Sequence, residues 1–135
     1  MIEILEGDCR DVLKTLSDNS VHCCVTSPPY WGLRSYLPKG HENKSLEIGS
    51  EPTPQAFVET MVEVFREVRR VLHSSGTCWL NLGDSYTTGS GGNGTQSEKQ
   101  KSNGGTQFEP RKQLAGMKPK DLCLIPWRVV LALQA

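Results

Sequence analysis

The sequence predicts an α/β fold with an open, predominantly parallel sheet, on three observations. Short apolar runs alternate with stretches of helical periodicity along the chain. One run, Val21 to Thr26, is β-branched and cysteine-rich, the composition of a strand buried on both faces. Strands separated by one helix make βαβ units, whose parallel, right-handed crossover belongs to such sheets. With 135 residues the chain holds one domain and not two cores.

The elements follow in order. Ile2 to Leu5 reads as a first strand ending at Glu6-Gly7-Asp8, and Val12, Leu13 and Leu16 then recur at helical spacing as far as the turn Ser17-Asp18-Asn19-Ser20. The strand Val21 to Thr26 stops at Ser27-Pro28-Pro29-Tyr30-Trp31. A loop of about twenty residues follows, long enough to be functional or mobile. Thr53 is an N-cap with Pro54 at the first helical position, and Phe57, Met61, Val64, Phe65, Val68 and Leu72 line one helix face. The opposite face, with Glu59, Glu63, Arg66, Glu67 and Arg70, reads as solvated and laced with i,i+3 ion pairs. Gly76 permits the exit, and Thr77 to Leu82 reads as a further buried strand ending at Gly83-Asp84-Ser85-Tyr86. Between Ser85 and Gln107 there are six glycines, four serines and four threonines, too little apolar area to offset the entropy of ordering, so residues 85–117 are expected to form a mobile loop. Asp121 is the expected N-cap of a final helix through Leu122, Ile125, Val129, Val130 and Leu133, with Pro126 in its first turn or at a break.

Fifteen basic and fifteen acidic side chains cancel, so any contact with nucleic acid must come from a local patch. No apolar stretch approaches the roughly 18 residues of a membrane span, and the acidic start MIEILEGD lacks the basic flank of a signal peptide, so a cytoplasmic protein without membrane contact is expected. Five cysteines without a Cys-x-x-Cys pair do not make a disulfide framework and read as small buried thiols. A zinc site from His22, Cys23 and Cys24 is poorly spaced, because adjacent strand residues point to opposite faces.

The run Thr26-Ser27-Pro28-Pro29-Tyr30-Trp31 carries the most chemistry, since open α/β sheets bind ligands at the carboxyl ends of their strands. Each proline holds the residue before it extended, which stiffens the segment, and neither proline has an N–H. The Ser27 hydroxyl and the Ser27 and Pro28 carbonyls are left as acceptors beside two aromatic rings. That set suits a planar ring bearing an amino group, such as an unpaired nucleobase stacked on Tyr30 or Trp31. The plain alternative is a proline-rich turn that only ends a strand. A polyproline ligand is a weaker one, for the run has no P-x-x-P spacing.

Ser27-Pro28-Pro29-Tyr30, preceded by Val25-Thr26 and followed by Trp31-Gly32-Leu33-Arg34, resembles the catalytic motif of the amino-group DNA methyltransferases, [D/N/S]-P-P-[Y/F/W]. Gly7-Asp8-Cys9, the run Trp79 to Tyr86, and Pro119-Lys120-Asp121-Leu122 with Ile125-Pro126-Trp127-Arg128 resemble further blocks of site-specific methyltransferases of bacteria and phages, in the same order. The resemblance implies a partial Rossmann-like, S-adenosylmethionine-dependent methyltransferase sheet and transfer of a methyl group to the exocyclic amino nitrogen of a flipped base. It implies Ser27, Pro28, Pro29 and Tyr30 as catalytic residues, with Ser27 and the Pro28 carbonyl accepting the amino hydrogens and Tyr30 stacking on the base. A first-position serine is more typical of N4-cytosine than of N6-adenine enzymes. Asp8 and Thr26 are the expected contacts of the cofactor, S-adenosylmethionine; the alternative for Asp8 is a helix cap. Asp84 and Ser85 have a similar status. Gly83-Asp84-Ser85 also resembles a motif of serine hydrolases, but none of the three histidines stands in the Asp-x-x-His arrangement those enzymes use.

The family's Phe-x-Gly-x-Gly cofactor turn is absent, and Gly91-Gly92-Asn93-Gly94 has no apolar strand ahead of it. Residues 1–135 are therefore expected to be the N-terminal part of one catalytic domain whose C-terminal half is absent, binding cofactor poorly and lacking sequence-specific DNA recognition. Double-stranded DNA and a cognate restriction nuclease are the implied partners. The alternative is an inactive remnant acting as a nucleic-acid-binding or subunit-pairing fragment.

Overall fold

The computed structural model describes residues 2–38, 40–87 and 116–135. The chain is α/β, with a parallel two-stranded sheet among the described residues. A single helical turn, α1 (Cys9–Val12), runs on as a 3-10 turn at Leu13–Thr15 and leads to β1 (Val21–Thr26). The long helix α2 (Pro54–Val71) connects β1 to β2 (Leu72–Leu80), and α3 (Ile125–Gln134) closes the described chain.

The helix α2 begins where the sequence places it. Thr53 is extended and its hydroxyl accepts from the Ala56 N–H at 3.1 Å, with Pro54 in the first turn. Its buried stripe of Phe57, Met61, Val64, Phe65 and Val68 meets Ile125 and Val129 of α3, and Trp31 and Cys123 complete the core. The solvated face is less uniform than expected. Arg70 pairs with Glu67 at 2.8 Å and reaches back to the carbonyls of Leu13 (2.8 Å) and Leu16 (2.9 Å) and to Asp18 (2.5 Å), fastening the turn before β1 to the end of α2.

Several expectations are corrected. Ile2 to Leu5 is not a strand: Ile2 is 93% exposed, and neither β1 nor β2 pairs with this run. Three apolar residues and a glutamate without a hydrogen-bonding neighbour have no ladder to join. The βαβ unit is accordingly β1–α2–β2. Strand β1 has the predicted limits but is not buried on both faces, for Val25 is 79% exposed. The second strand starts at Leu72 rather than Thr77, because Leu72 pairs with Val21 and the chain bulges before Thr77 pairs with Cys23. Gly76 thus lies inside β2, and Trp79 is 66% exposed instead of buried. Cys9, Cys23 and Cys78 are exposed, and only Cys123 is fully buried.

The first three residues of the expected loop, 85–87, are tied to the fold. Ser85 and Thr87 are buried, Tyr86 forms an antiparallel bridge with Leu122, and backbone bonds join Cys123 N–H to Ser85 O (2.7 Å) and Thr87 N–H to Asp121 O (2.8 Å). The rest of that expectation, residues 88–115, lies outside the described residues. Asp121 does not cap α3; its carboxylate accepts from the Lys118 N–H. Asp84 Oδ1 takes the first N–H of α3, that of Ile125, at 3.0 Å, while Leu124 turns the corner in the left-handed region at φ 58°.

Candidate functional site

The site grows from the carboxyl end of β1. Pairing with β2 runs through Thr26↔Leu80, and Asn81 N–H extends it to the Thr26 carbonyl at 3.0 Å. Beyond this point the chain enters Ser27-Pro28-Pro29-Tyr30, which has no cis peptide bond. Ser27 is exposed, with its Oγ 3.1 Å from the Tyr30 hydroxyl. Ser27, Pro28 and Tyr30, with Leu33, Arg34 and Tyr36, line an open cavity of about 250 Å³. This is just under the roughly 300 Å³ at which ordinary small-molecule pockets begin, the scale of one ring system.

The inner side of the tetrad is tightly held. Trp31 is 4% exposed, packs in the core and donates its indole N–H to Glu51 O at 2.9 Å. It is thus withdrawn from the stacking role allowed it by sequence, which leaves Tyr30 of that pair, and Tyr36, 63% exposed, is a second ring in the cavity lining. Ser85 Oγ donates to the Trp31 carbonyl at 2.9 Å in a buried position, so it is a structural tie and not an exposed nucleophile. The Tyr30 ring packs close against Gly83, where a Cβ would stand 2.6 Å from it; only glycine leaves room. Gly49, at φ +93°, brings its backbone against the Tyr30 carbonyl and Pro29.

The outer wall rests on Glu47. Its side chain is 5% exposed and accepts from the N–H groups of Tyr36 and Leu37, the Ser35 hydroxyl (3.1 Å) and Lys44 Nζ (2.7 Å). Burial alone would raise its pKa. Lys44 and then these N–H and hydroxyl donors outweigh that and bring it down to about 2. Lys44 also donates to Leu37 O at 2.7 Å, which closes residues 35–47 into a compact loop beside the cavity. Sequence reasoning found Ser27, Pro28 and Tyr30 and missed the parts played by Tyr36, Glu47 and Gly83. One signal existed: a lone glutamate at the end of a polar loop with a lysine three residues before it.

Asp8 and Thr26, expected on the cofactor side, do not line the cavity. Asp8 caps α1, accepting from the Arg10 N–H at 2.9 Å, and both its oxygens are held by the Arg10 guanidinium at 2.9 and 2.5 Å. That bidentate pair holds the Asp8 carboxyl below its ordinary value. In this structure the Asp8 carboxylate is thus engaged by Arg10. Among the described residues no three His, Cys, Asp or Glu side chains are grouped to hold a metal ion, and no helix is long and apolar enough to cross a membrane.

Comparison with known proteins points to one enzyme family. Relatives include Type II methyltransferase M.XycI of Xanthomonas campestris pv. cyanopsidis, 46% identical over 132 residues, covering 97% of this chain and 41% of that protein. M.SmaI of Serratia marcescens is 42% identical over 132 residues (98% and 42%), and M.Cfr9I of Citrobacter freundii 42% over 138 residues (97% and 41%). The chain thus spans about two-fifths of the length of these relatives. No solved structure matches it. A family profile described as DNA methylase matches residues 21–128, from the first residue of β1 into α3, and the chain belongs to that family of amino-group DNA methyltransferases.

Proposed function

We propose that this protein takes part in methylating the exocyclic amino group of a base flipped out of double-stranded DNA, N4 of cytosine in preference to N6 of adenine, with S-adenosylmethionine as methyl donor. The observation that carries the reading is the cavity in which the Ser27 hydroxyl, Pro28 and the Tyr30 ring stand together. The relatives are Type II methyltransferases, which supports DNA as the substrate and a cognate restriction nuclease as a functional partner. On this reading the two parallel strands are part of a Rossmann-like sheet.

Ser27 and the Pro28 carbonyl accept the two amino hydrogens. If Ser27 donates its own proton to the Tyr30 oxygen 3.1 Å away, both of its lone pairs face the base. Accepting these hydrogens raises electron density on the amino nitrogen and fixes its lone pair, while Pro29 keeps the backbone rigid and Tyr30 stacks on the ring. A serine hydroxyl is too weak a base to take the released proton, which goes to water, so positioning dominates over general-base strength. Asp8 and Thr26 belong to the donor side; Asp8 would contact a donor hydroxyl only by exchanging Arg10 for it.

The test is incubation of the longest form of the protein that contains this chain with labelled S-adenosylmethionine and plasmid DNA, followed by nucleoside analysis. Labelled N4-methylcytosine is expected, lost in Ser27→Ala without loss of fold. Full activity in Ser27→Ala refutes the site, and N6-methyladenine as product refutes the choice of base. One observation favours the second reading, a fragment that pairs with another polypeptide: Val25 and Trp79, register partners on one sheet face, are both exposed. DNA binding or pairing without methyl transfer is its expected result.

A further inference from the structure

The lining of the cavity at Ser27 combines the Ser27 hydroxyl and Pro28 with one cation, Arg34. Arg34 makes no hydrogen bond or ion pair with any described residue. Arg10, Arg70 and Arg128 are occupied, by Asp8, by Asp18 and Glu67, and by the Cys123 carbonyl; Arg66 and Arg69 on α2 share the freedom of Arg34 but do not line the cavity. The segment carrying Arg34 is not loose, since Leu33 N–H bonds back to the Tyr30 carbonyl and the next two residues, Ser35 and Tyr36, are held by Glu47. A guanidinium fixed on its backbone, exposed and unpaired at the rim of a slot for one ring, matches a ligand with an amino-bearing ring at one end and an anion at the other. A nucleotide is such a ligand.

We propose that Arg34 binds a backbone phosphate of the nucleotide whose base enters the Ser27 cavity, and that Glu47 positions the loop that presents it. This rests on the reading of the cavity as a base slot.

The experiment is titration of the 135-residue protein with a fluorescent single-stranded oligodeoxycytidine, whose bases are already unpaired, over a range of NaCl concentrations. Removing one phosphate contact flattens the slope of log K against log salt by about 0.7 on a single strand. Arg34→Ala is expected to weaken binding and flatten the slope by that amount, Arg34→Lys to keep the slope, and Arg66→Ala, on the exposed face of α2, to change neither. Glu47→Gln is expected to weaken binding with the slope retained only in part. An unchanged slope in Arg34→Ala, an equal effect of Arg66→Ala, or no measurable binding by the unaltered protein overturns the proposal. A strand of abasic sugars separates the two readings. If preference for the base-bearing strand persists and is abolished by Ser27→Ala while the slope ignores Arg34, the slot stands and the phosphate contact falls. If the slope depends on Arg34 on both strands and neither is preferred, the contact stands and the slot falls.

Discussion

Replacing Glu47 by Gln tests the outer wall of the site with a change of one atom. The amide keeps an acceptor for the Tyr36 and Leu37 N–H groups but turns an NH2 toward Lys44 and the Ser35 hydroxyl, and it removes the charge that Lys44 faces. The magnitude follows from the pKa. Lowering the carboxyl from 4.5 to about 2 in the folded chain corresponds to about 3 kcal/mol of stabilisation at neutral pH. The folded value lies below the unfolded one, so this contribution is complete above about pH 4.5 and is lost as the pH falls through about 2; more than half is gone by pH 3. Gln does not titrate, so the difference between the two proteins should be about 3 kcal/mol at pH 7 and shrink steadily on acidification. The assay is urea unfolding of both proteins from pH 7 to pH 3, with hydrogen exchange of the Tyr36 and Leu37 amides to localise the loss. If the loop opens separately, those amides should exchange on the order of a hundredfold faster in the variant at pH 7. Equal stability and equal exchange at pH 7, or a difference that does not change with pH, would refute the assignment of Glu47 as the clamp.

Three other outcomes are expected. Gly83→Ala puts a Cβ 2.6 Å from the Tyr30 ring, so it should displace that ring and lower methyl transfer at least tenfold while costing about 1–3 kcal/mol in melting experiments. Met61→Ala removes a side chain that is completely buried between α2 and α3 and should cost about 2–5 kcal/mol in urea titrations, with no selective effect on nucleotide binding. Cys78 is exposed, yet burial of its sulfur and the neighbouring Cys24 thiol push its pKa to about 11; iodoacetamide labelling followed by mass spectrometry should find it sluggish at pH 8 and accelerating toward pH 11.

What the sequence made legible was local. Thr53-Pro54 and the 3.6-residue stripe from Phe57 to Val68 describe α2 because capping and one-sided burial act within the helix itself. Ser27, Pro28 and Tyr30 could be assembled on paper because they are consecutive or nearly so and the prolines restrict their backbone. Apart from the exposed Val25, Trp79 and cysteines, the failures are pairings between distant residues. Ile2 to Leu5 has strand composition, but composition does not supply a neighbouring ladder. Leu72 looks like the end of a helix stripe and becomes the first residue of β2 because Val21, some fifty positions earlier, accepts it as a partner. The cap of α3 comes from Asp84, 41 residues upstream, and not from the nearer Asp121. Arg34 and Tyr36 reach the cavity through Glu47, more than ten residues further along.

The same distinction bears on how far the site depends on the bare face of the sheet. Everything that fixes the tetrad lies on its inner side or in the following loop: Trp31 in the core, Ser85 on the Trp31 carbonyl, Gly49 and Gly83 against Pro29 and Tyr30, and Glu47 under residues 35–37. Val25 and Trp79 point away from this scaffold, on a face that none of those contacts uses. The cavity at Ser27 is therefore set by the β1–α2–β2 unit with its loop and α3, whatever covers Val25 and Trp79. Polar substitution of Trp79 should leave the oligonucleotide affinity within about twofold, since an exposed side chain remote from the cavity contributes little to its geometry. A collapse of that affinity in Trp79→Gln, with melting unchanged, would mean that the slot is built across the bare face and not beneath it.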